Sequence, residues 1–313
     1  MRALVVTPDP PHLELAGADD PSPLPNEALV DVYAFSINRG ESRRLPEQPP
    51  GFVPGWDVAG VVARSAEDGS GPGEGRRVVG LVGSGAWAER AAVPTGVLAE
   101  LPDEVSFAAA STLPVAGLTA YRMIGLTSVL GRTLLVTGAS GGVGRFAVQL
   151  GARAGARVTA IARDAERARG LTELGASDVL TELSPEGERF DVILESVGGA
   201  SLAAALQRVA PGGWVISFGD SSRDDVRFQA SSFYRSAGAR VYGFMIFREL
   251  RNGAGSRDLR HLAELVAAGA LDPQVSLEAG WEDAAGAIEA LLARRLQGKA
   301  VLHVRNEAPG PHL

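Results

Sequence analysis

The residues best suited to chemistry in this 313-residue chain are glycines. The run Val136-Thr137-Gly138-Ala139-Ser140-Gly141-Gly142-Val143-Gly144 leads an apolar stretch into a turn without bulky side chains, and the turn opens into a segment with helical periodicity. Backbone N–H groups in such a turn can approach phosphate oxygens, and the start of the following helix favours the anion. Ala139, Gly141 and Gly144 fit the spacing of a dinucleotide-binding fingerprint, with alanine at its first glycine. In a chain with 39 glycines such a match is weak by itself, so the flanking elements decide.

Leu134-Leu135-Val136 reads as a short buried parallel strand, and Val143, Phe146, Ala147, Leu150 and Ala154 recur on one helical face. Residues 157–162 supply the next strand, 171–175 the end of the next helix, and 190–194 a further strand. Repeated strand and helix units of this kind predict an α/β fold with a doubly wound parallel sheet. Before this region the chain is rich in proline and glycine, with short β-type runs such as 28–33 and 77–82, which predict a compact, mainly β domain. Beyond Val241-Tyr242-Gly243, helical periodicity returns over 259–268 and 281–296, and a last strand at 300–304 is expected to rejoin the first domain. Residues 252–256 read as a short flexible connector.

Composition narrows the possible functions. Hydrophobic residues at 45% and charged residues at 21% suffice for two cores, and no apolar run has the length of a membrane helix. The start, Met1-Arg2-Ala3-Leu4-Val5-Val6, reads as a strand followed by prolines and not as a secretory signal, so a cytoplasmic location is expected. A net charge of -7 with scattered arginines argues against nucleic acid. The chain has no cysteine, which removes disulfides, thiolate nucleophiles and Cys-rich zinc sites. The histidines, His12, His261, His303 and His312, are far apart in sequence; His12 with Glu14 reads as strand surface, and His312 falls in a frayed tail. No metal site is expected.

The order of the remaining blocks resembles zinc-independent medium-chain dehydrogenase/reductases of the quinone oxidoreductase and enoyl reductase group. Ser36-Ile37-Asn38-Arg39-Gly40-Glu41 is similar to that family's Asn-containing active-site loop, and Pro54-Gly55-Trp56-Asp57-Val58-Ala59-Gly60 to its Pro-Gly-x-Asp-x-Ala-Gly block. Gly85-Ala86-Trp87-Ala88-Glu89, Leu113-Pro114-Val115-Ala116-Gly117-Leu118-Thr119-Ala120, Glu195-Ser196-Val197-Gly198-Gly199 and Gly298-Lys299-Ala300 follow in family order. The resemblance implies a GroES-like β domain for the substrate, assigned to 1–116 and 259–313, and a Rossmann domain for the nicotinamide at 117–258, with the active site in the cleft between them. Metal-dependent relatives place histidine and glutamate where this chain has Trp56-Asp57, and tryptophan has no lone pair for a metal.

The same resemblance places Ser140, Gly141, Gly142 and Val143 at the pyrophosphate, and Thr119, Ser196, Val197 and Gly198 nearer the ribose and nicotinamide, with Phe218-Gly219 on the rim. Ala162 falls where NAD-using relatives carry an acidic residue, and Arg163 follows it. A guanidinium suits a 2′-phosphate, so NADPH is the expected cofactor, with Arg167 a second contact. Asp164 either caps the next helix or binds a ribose. Lys299 serves either as a cofactor contact or in structural pairing.

For catalysis, Asn38 is the first candidate to orient or polarise a carbonyl, with Ser36, Arg43 and Trp56 as further candidates. The competing role for Asn38 is to hold its own loop. Relatives that place a tyrosine after the loop asparagine have no counterpart in Glu41-Ser42-Arg43-Arg44-Leu45, so either water supplies a proton or none is needed at carbon. Asp57 reads as a buried structural acceptor. The expected function is an NADPH-dependent, zinc-free reductase of a quinone or an α,β-unsaturated carbonyl compound (enone or enoyl). The alternative is a non-catalytic NADPH-binding sensor or structural protein. Phe233, Tyr234, Phe244, Met245 and Phe247 form either an aromatic wall of the pocket or core, and the apolar run 241–247 is a candidate sheet edge for a homodimer.

Overall fold

Alternation in the sequence becomes a half-buried sheet in the N-terminal part of the chain. A computed structural model describes residues 1–250 and 255–305; most of the connector expected at 252–256, and the tail with His312, lie outside the described residues. Strands β1 (Arg2–Val5) and β2 (Glu14–Gly17) form an antiparallel pair. His12 sits in the turn before β2 with φ +61°, so the strand-surface reading of His12 gives way to a turn. In β3 (Glu27–Ile37) Ala28, Val30, Val32 and Ala34 point inward on alternate positions. This strand pairs antiparallel with β4 (Asp57–Arg64) and also with β6 (Arg90–Pro94), while β4 pairs with β5 (Arg77–Leu81) and β5 with β7 (Leu98–Glu100). Helix α1 (Arg39–Arg43) leaves the end of β3, and α2 (Phe107–Ser111) begins with Ser106 accepting from the Ala109 N–H at 3.1 Å. The core beneath these strands includes Trp87, on which the Phe35 ring stacks at 5.7 Å.

The region 119–249 forms a separate compact unit. It starts in α3 (Leu118–Gly125) and continues through β8 (Thr133–Val136), α4 (Gly142–Arg153), β9 (Arg157–Ile161), α5 (Ala165–Ala168), β10 (Asp178–Leu180), β11 (Phe190–Glu195), α6 (Gly199–Arg208), β12 (Val209–Ser217), α7 (Ala230–Tyr234), β13 (Arg240–Gly243) and α8 (Ile246–Glu249). The sheet order is β10-β9-β8-β11-β12-β13, parallel throughout. Chain order reverses between β8 and β11, the switch point at which open α/β sheets bind ligands. Residues 171–175 are turns and not a helix end, because α5 stops at Ala168 and Gly170 takes φ +77°. Beyond β13 the strand does not continue to 247: Phe244 turns inward and α8 follows.

The chain then returns to its first unit through α9 (Gly255–Ala267), which packs against β7. Strand β14 (Val275–Gly280) leads through a 3-10 turn at Trp281–Asp283 to α10 (Ala284–Leu292), so the stretch expected as one helix over 281–296 is shorter and has two parts. The last strand, β15 (Lys299–His303), pairs antiparallel with β3, as expected for a closing strand that rejoins the first domain. In this sheet β14 and β15 run parallel, and Trp281 is fully enclosed in the core.

Candidate functional site

Two clusters of polar side chains stand out, one in each unit. In the Rossmann-type unit, the turns after β8 and β11 meet at the switch point. Gly141 precedes α4 without a side-chain cap, which leaves the first-turn N–H groups to other acceptors. A side chain at Gly144 would put its Cβ 2.6 Å from Ala139 Cα, so glycine is required for the helix to approach the turn this closely. Ser140 is buried, and Gly141, Gly142 and Val143 are half-buried.

The second turn is fixed by a residue whose role sequence reasoning missed. Glu195, fully buried at the end of β11, accepts from Val197 N (3.0 Å), Gly198 N (3.1 Å), Ser201 Oγ (2.9 Å) and Thr137 Oγ1 (3.2 Å). Burial pushes its carboxyl up, and these donors pull it back. Thr137 Oγ1 accepts from Ser196 N at 2.9 Å, and Ser196 Oγ donates to Thr137 O at 3.2 Å, so the two turns are tied together. Gly198 takes φ +79°, a conformation that turns the chain into α6 and that side chains disfavour. Phe218 N donates to Glu195 O at 2.9 Å, which brings Phe218-Gly219 to the same sheet edge. A carboxylate directly after the apolar run Val192-Ile193-Leu194 is the sequence signal that could have pointed to Glu195.

At the end of β9, Ala162 is buried and Arg163 is exposed. Asp164 caps α5 by accepting from Arg167 N at 2.9 Å, which holds its carboxyl below the usual range, and the Arg163 and Arg167 guanidinium Nε atoms lie 3.4 and 4.0 Å from it. Of the two roles open to Asp164, the cap is the one seen. Thr119 is buried in α3.

The other cluster lies in the β-rich unit. Asn38 ends β3 and precedes α1; its Nδ2 donates to Asp57 Oδ2 at 2.7 Å and Glu41 Oε1 at 2.9 Å, and its Oδ1 accepts from Lys299 Nζ at 2.6 Å. Both amide hydrogens and the carbonyl are therefore engaged, and none is left for a substrate carbonyl. This corrects the polarising role expected of Asn38 in favour of holding its loop. Ser36 is buried, with its hydroxyl donating to Asp57, and is likewise withdrawn from substrate. Asp57 also accepts from Val115 N at 2.9 Å and lies 3.5 Å from Lys299 Nζ.

Lys299 is 3% exposed, and its ammonium also reaches Ile37 O at 3.2 Å. Its donors are occupied by the cluster, so of the two roles open to Lys299 structural pairing is the one seen. Burial pushes its pKa down, against the pull of Asp57 and Glu41. Glu41 Oε1 accepts from Asn38 N at 2.7 Å, and burial followed by the Asp57 charge pushes Glu41 up to about 8. Of the four catalytic candidates, Arg43 and Trp56 are half-buried and stand outside the hydrogen bonds described for this cluster, and a Cβ at Gly40 would lie 2.9 Å from the Trp56 ring. Among the described residues, no group of three or more His, Asp or Glu side chains is arranged to hold a metal ion.

Known proteins resemble this chain in sequence and fold. Residues 24–103 match the alcohol dehydrogenase GroES-like domain and residues 170–302 the family described as zinc-binding dehydrogenase. A chloroplast quinone-oxidoreductase of Triphysaria versicolor is 34% identical over 63% of this chain, and the match spans 63% of that protein. A chloroplast quinone-oxidoreductase homologue of Spinacia oleracea is 30% identical over 66% of the chain and 69% of its own length. A mycobacterial protein solved in complex with NADPH superposes with a TM-score of 0.87 at 25% identity, covering 97% of this chain and 100% of that one. With its parallel six-stranded sheet, glycine turn and GroES-like β domain, the chain belongs to the quinone oxidoreductase family of medium-chain dehydrogenase/reductases.

Proposed function

We propose that the protein is a metal-independent reductase that uses NADPH to reduce a quinone or an α,β-unsaturated carbonyl compound. The observation that carries this reading is the end of β9, where Arg163 and Arg167 stand beside a buried Ala162 at the place a ribose-binding carboxylate would occupy. The residues present suit the cofactor: an uncapped helix start, a glycine whose side chain would collide with the turn, and paired guanidinium groups. When bound, NADPH supplies the hydride. Ser140, Gly142 and Val143 would hold the pyrophosphate through backbone N–H groups, with Gly141, whose own N–H donates to Gly138 O at 3.0 Å, shaping the turn between them, and Arg163 with Arg167 would hold the 2′-phosphate. Thr119, Ser196, Val197, Gly198, Phe218 and Gly219 line the ribose and nicotinamide end, and Glu195 fixes that turn. Arg43 and Trp56 orient the acceptor, and the absence of cysteine together with Trp56 at the family's histidine position supports chemistry without zinc.

Consumption of NADPH across a panel of quinones and enones tests this reading. Turnover with at least one acceptor is expected, whereas tight NADPH binding with no acceptor would favour a sensor or structural role. Arg163→Ala is expected to raise KM for NADPH about tenfold and to leave KM for NADH in place. An equal effect on both cofactors would remove Arg163 from the 2′-phosphate site.

A further inference from the structure

The cluster around Asn38 holds two carboxylates, Glu41 and Asp57, against one ammonium, Lys299, with all three nearly or fully buried. A second unbalanced negative charge in such a place is costly, so charge balance calls for one carboxyl to keep its proton. The hydrogen bonds show which. Asp57 accepts from Ser36 Oγ, Asn38 Nδ2 and Val115 N, with the Lys299 ammonium close by, as an ionised carboxylate does. Glu41 takes both of its donors on Oε1, from the backbone and side chain of Asn38, and its buried Oε2 has no hydrogen-bond partner among the described residues. With both donors on Oε1, the neutral acid would carry its proton on Oε2, where an ionised oxygen would be left buried with neither donor nor counter-ion.

We propose that Glu41 is held as a neutral acid and, in that form, acts as a positioning residue that locks the Asn38 turn and with it Arg43, the charged end of α1. The proposal rests on the reading of Arg43 as acceptor-facing. Ionised Glu41 would compete with Asp57 for Lys299 and draw the ammonium from Asn38 Oδ1 and Ile37 O, which together fix the turn. The other charged groups on neighbouring elements are engaged elsewhere. On α1, Arg39 donates to Leu291 O of α10 at 3.0 Å; on α10, Glu289 is exposed and paired with Arg295 at 2.9 Å; Arg44 and Glu47 face each other at 3.9 Å.

Because the folded-state carboxyl titrates above its ordinary range, the stability it contributes is full in acid and is lost as pH rises from 4.5 to about 8. Melting temperatures of wild type and Glu41→Gln over that window test the proton without any assay of turnover. The wild-type value should fall relative to the variant across the window and run parallel to it above; parallel curves throughout would overturn the proposal. Positioning is tested by the pH profile of kcat/KM. The wild type should lose about tenfold per pH unit above about 8, and Glu41→Gln should lose that limb; a variant that keeps it would refute the positioning role. Should no acceptor be turned over at all, the functional reading fails while the melting comparison still decides the proton. If Glu41→Gln does not fold, Asp57→Asn gives the answer, since Lys299 would then serve Glu41 alone and the fall between 4.5 and about 8 should shift to lower pH. An unshifted fall counts against the proposal.

Discussion

Lys299 shows how much a single residue can hold in place. Its ammonium joins β15 to the end of β3 and to Asp57 of β4, three strands of one sheet, and supplies the positive charge of the Asn38 cluster. Methionine fills a similar volume without charge or donors. Lys299→Met should therefore leave Asp57 unpaired and Asn38 Oδ1 unsatisfied, with a loss of about 3–5 kcal/mol in unfolding free energy. Urea denaturation measures this, and a loss below about 1 kcal/mol would mean that water replaces the ammonium. The pairing could not be read along the chain, because Lys299 and Asn38 are 261 positions apart. The sequence left Asn38 between polarising a carbonyl and holding its own loop; only the fold reveals that both amide hydrogens and the carbonyl are engaged. The glycine turn was legible for the opposite reason, since its constraints act over nine consecutive residues, 136–144.

At the scale of elements, alternation and apolar runs identified β3, β8 and β11 correctly, because each buries its side chains in the pattern that its own sequence prints. The turns around α5 were less legible: a helix expected to end at 171–175 starts at the Asp164 cap and stops at Ala168, ahead of Gly170 with its positive φ. This short helix also bears on cofactor choice. Asp164 caps it and at the same time lies beside both arginines proposed for the 2′-phosphate, so its charge opposes the phosphate that they attract. Asparagine caps helices as well as aspartate does but carries no charge. Asp164→Asn is thus expected to leave the melting temperature within a degree or so and to lower KM for NADPH about two- to fivefold, with little change for NADH. Steady-state kinetics at low ionic strength would reveal the effect most clearly, and added salt should diminish it. An increase in KM for NADPH would instead place Asp164 on the cofactor as a ribose acceptor.

At the scale of the whole molecule, the parallel sheet ends on β13, which pairs with β12 alone among the described strands. Such an edge offers unpaired N–H and C=O groups to a second chain. Val241 on this strand is 54% exposed, and Tyr234 and Met245 near it in sequence are 75% and 56% exposed, an unusual density of large apolar side chains for a surface that stays in water. Of the two roles open to the aromatic stretch, Phe244 has joined the core, while Tyr234 has not. We propose that two copies meet along β13, with Val241 of each buried by the other. Val241→Lys would then place two ammonium groups in the contact, a combination that edge strands use to prevent association. Sedimentation at micromolar concentration should give a dimer for the wild type and a monomer for the variant, and NADPH binding should persist in both, because the arginines and the glycine turn lie at other strands of the sheet. A wild type that sediments as a monomer, or a variant that remains a dimer, would move the contact away from β13.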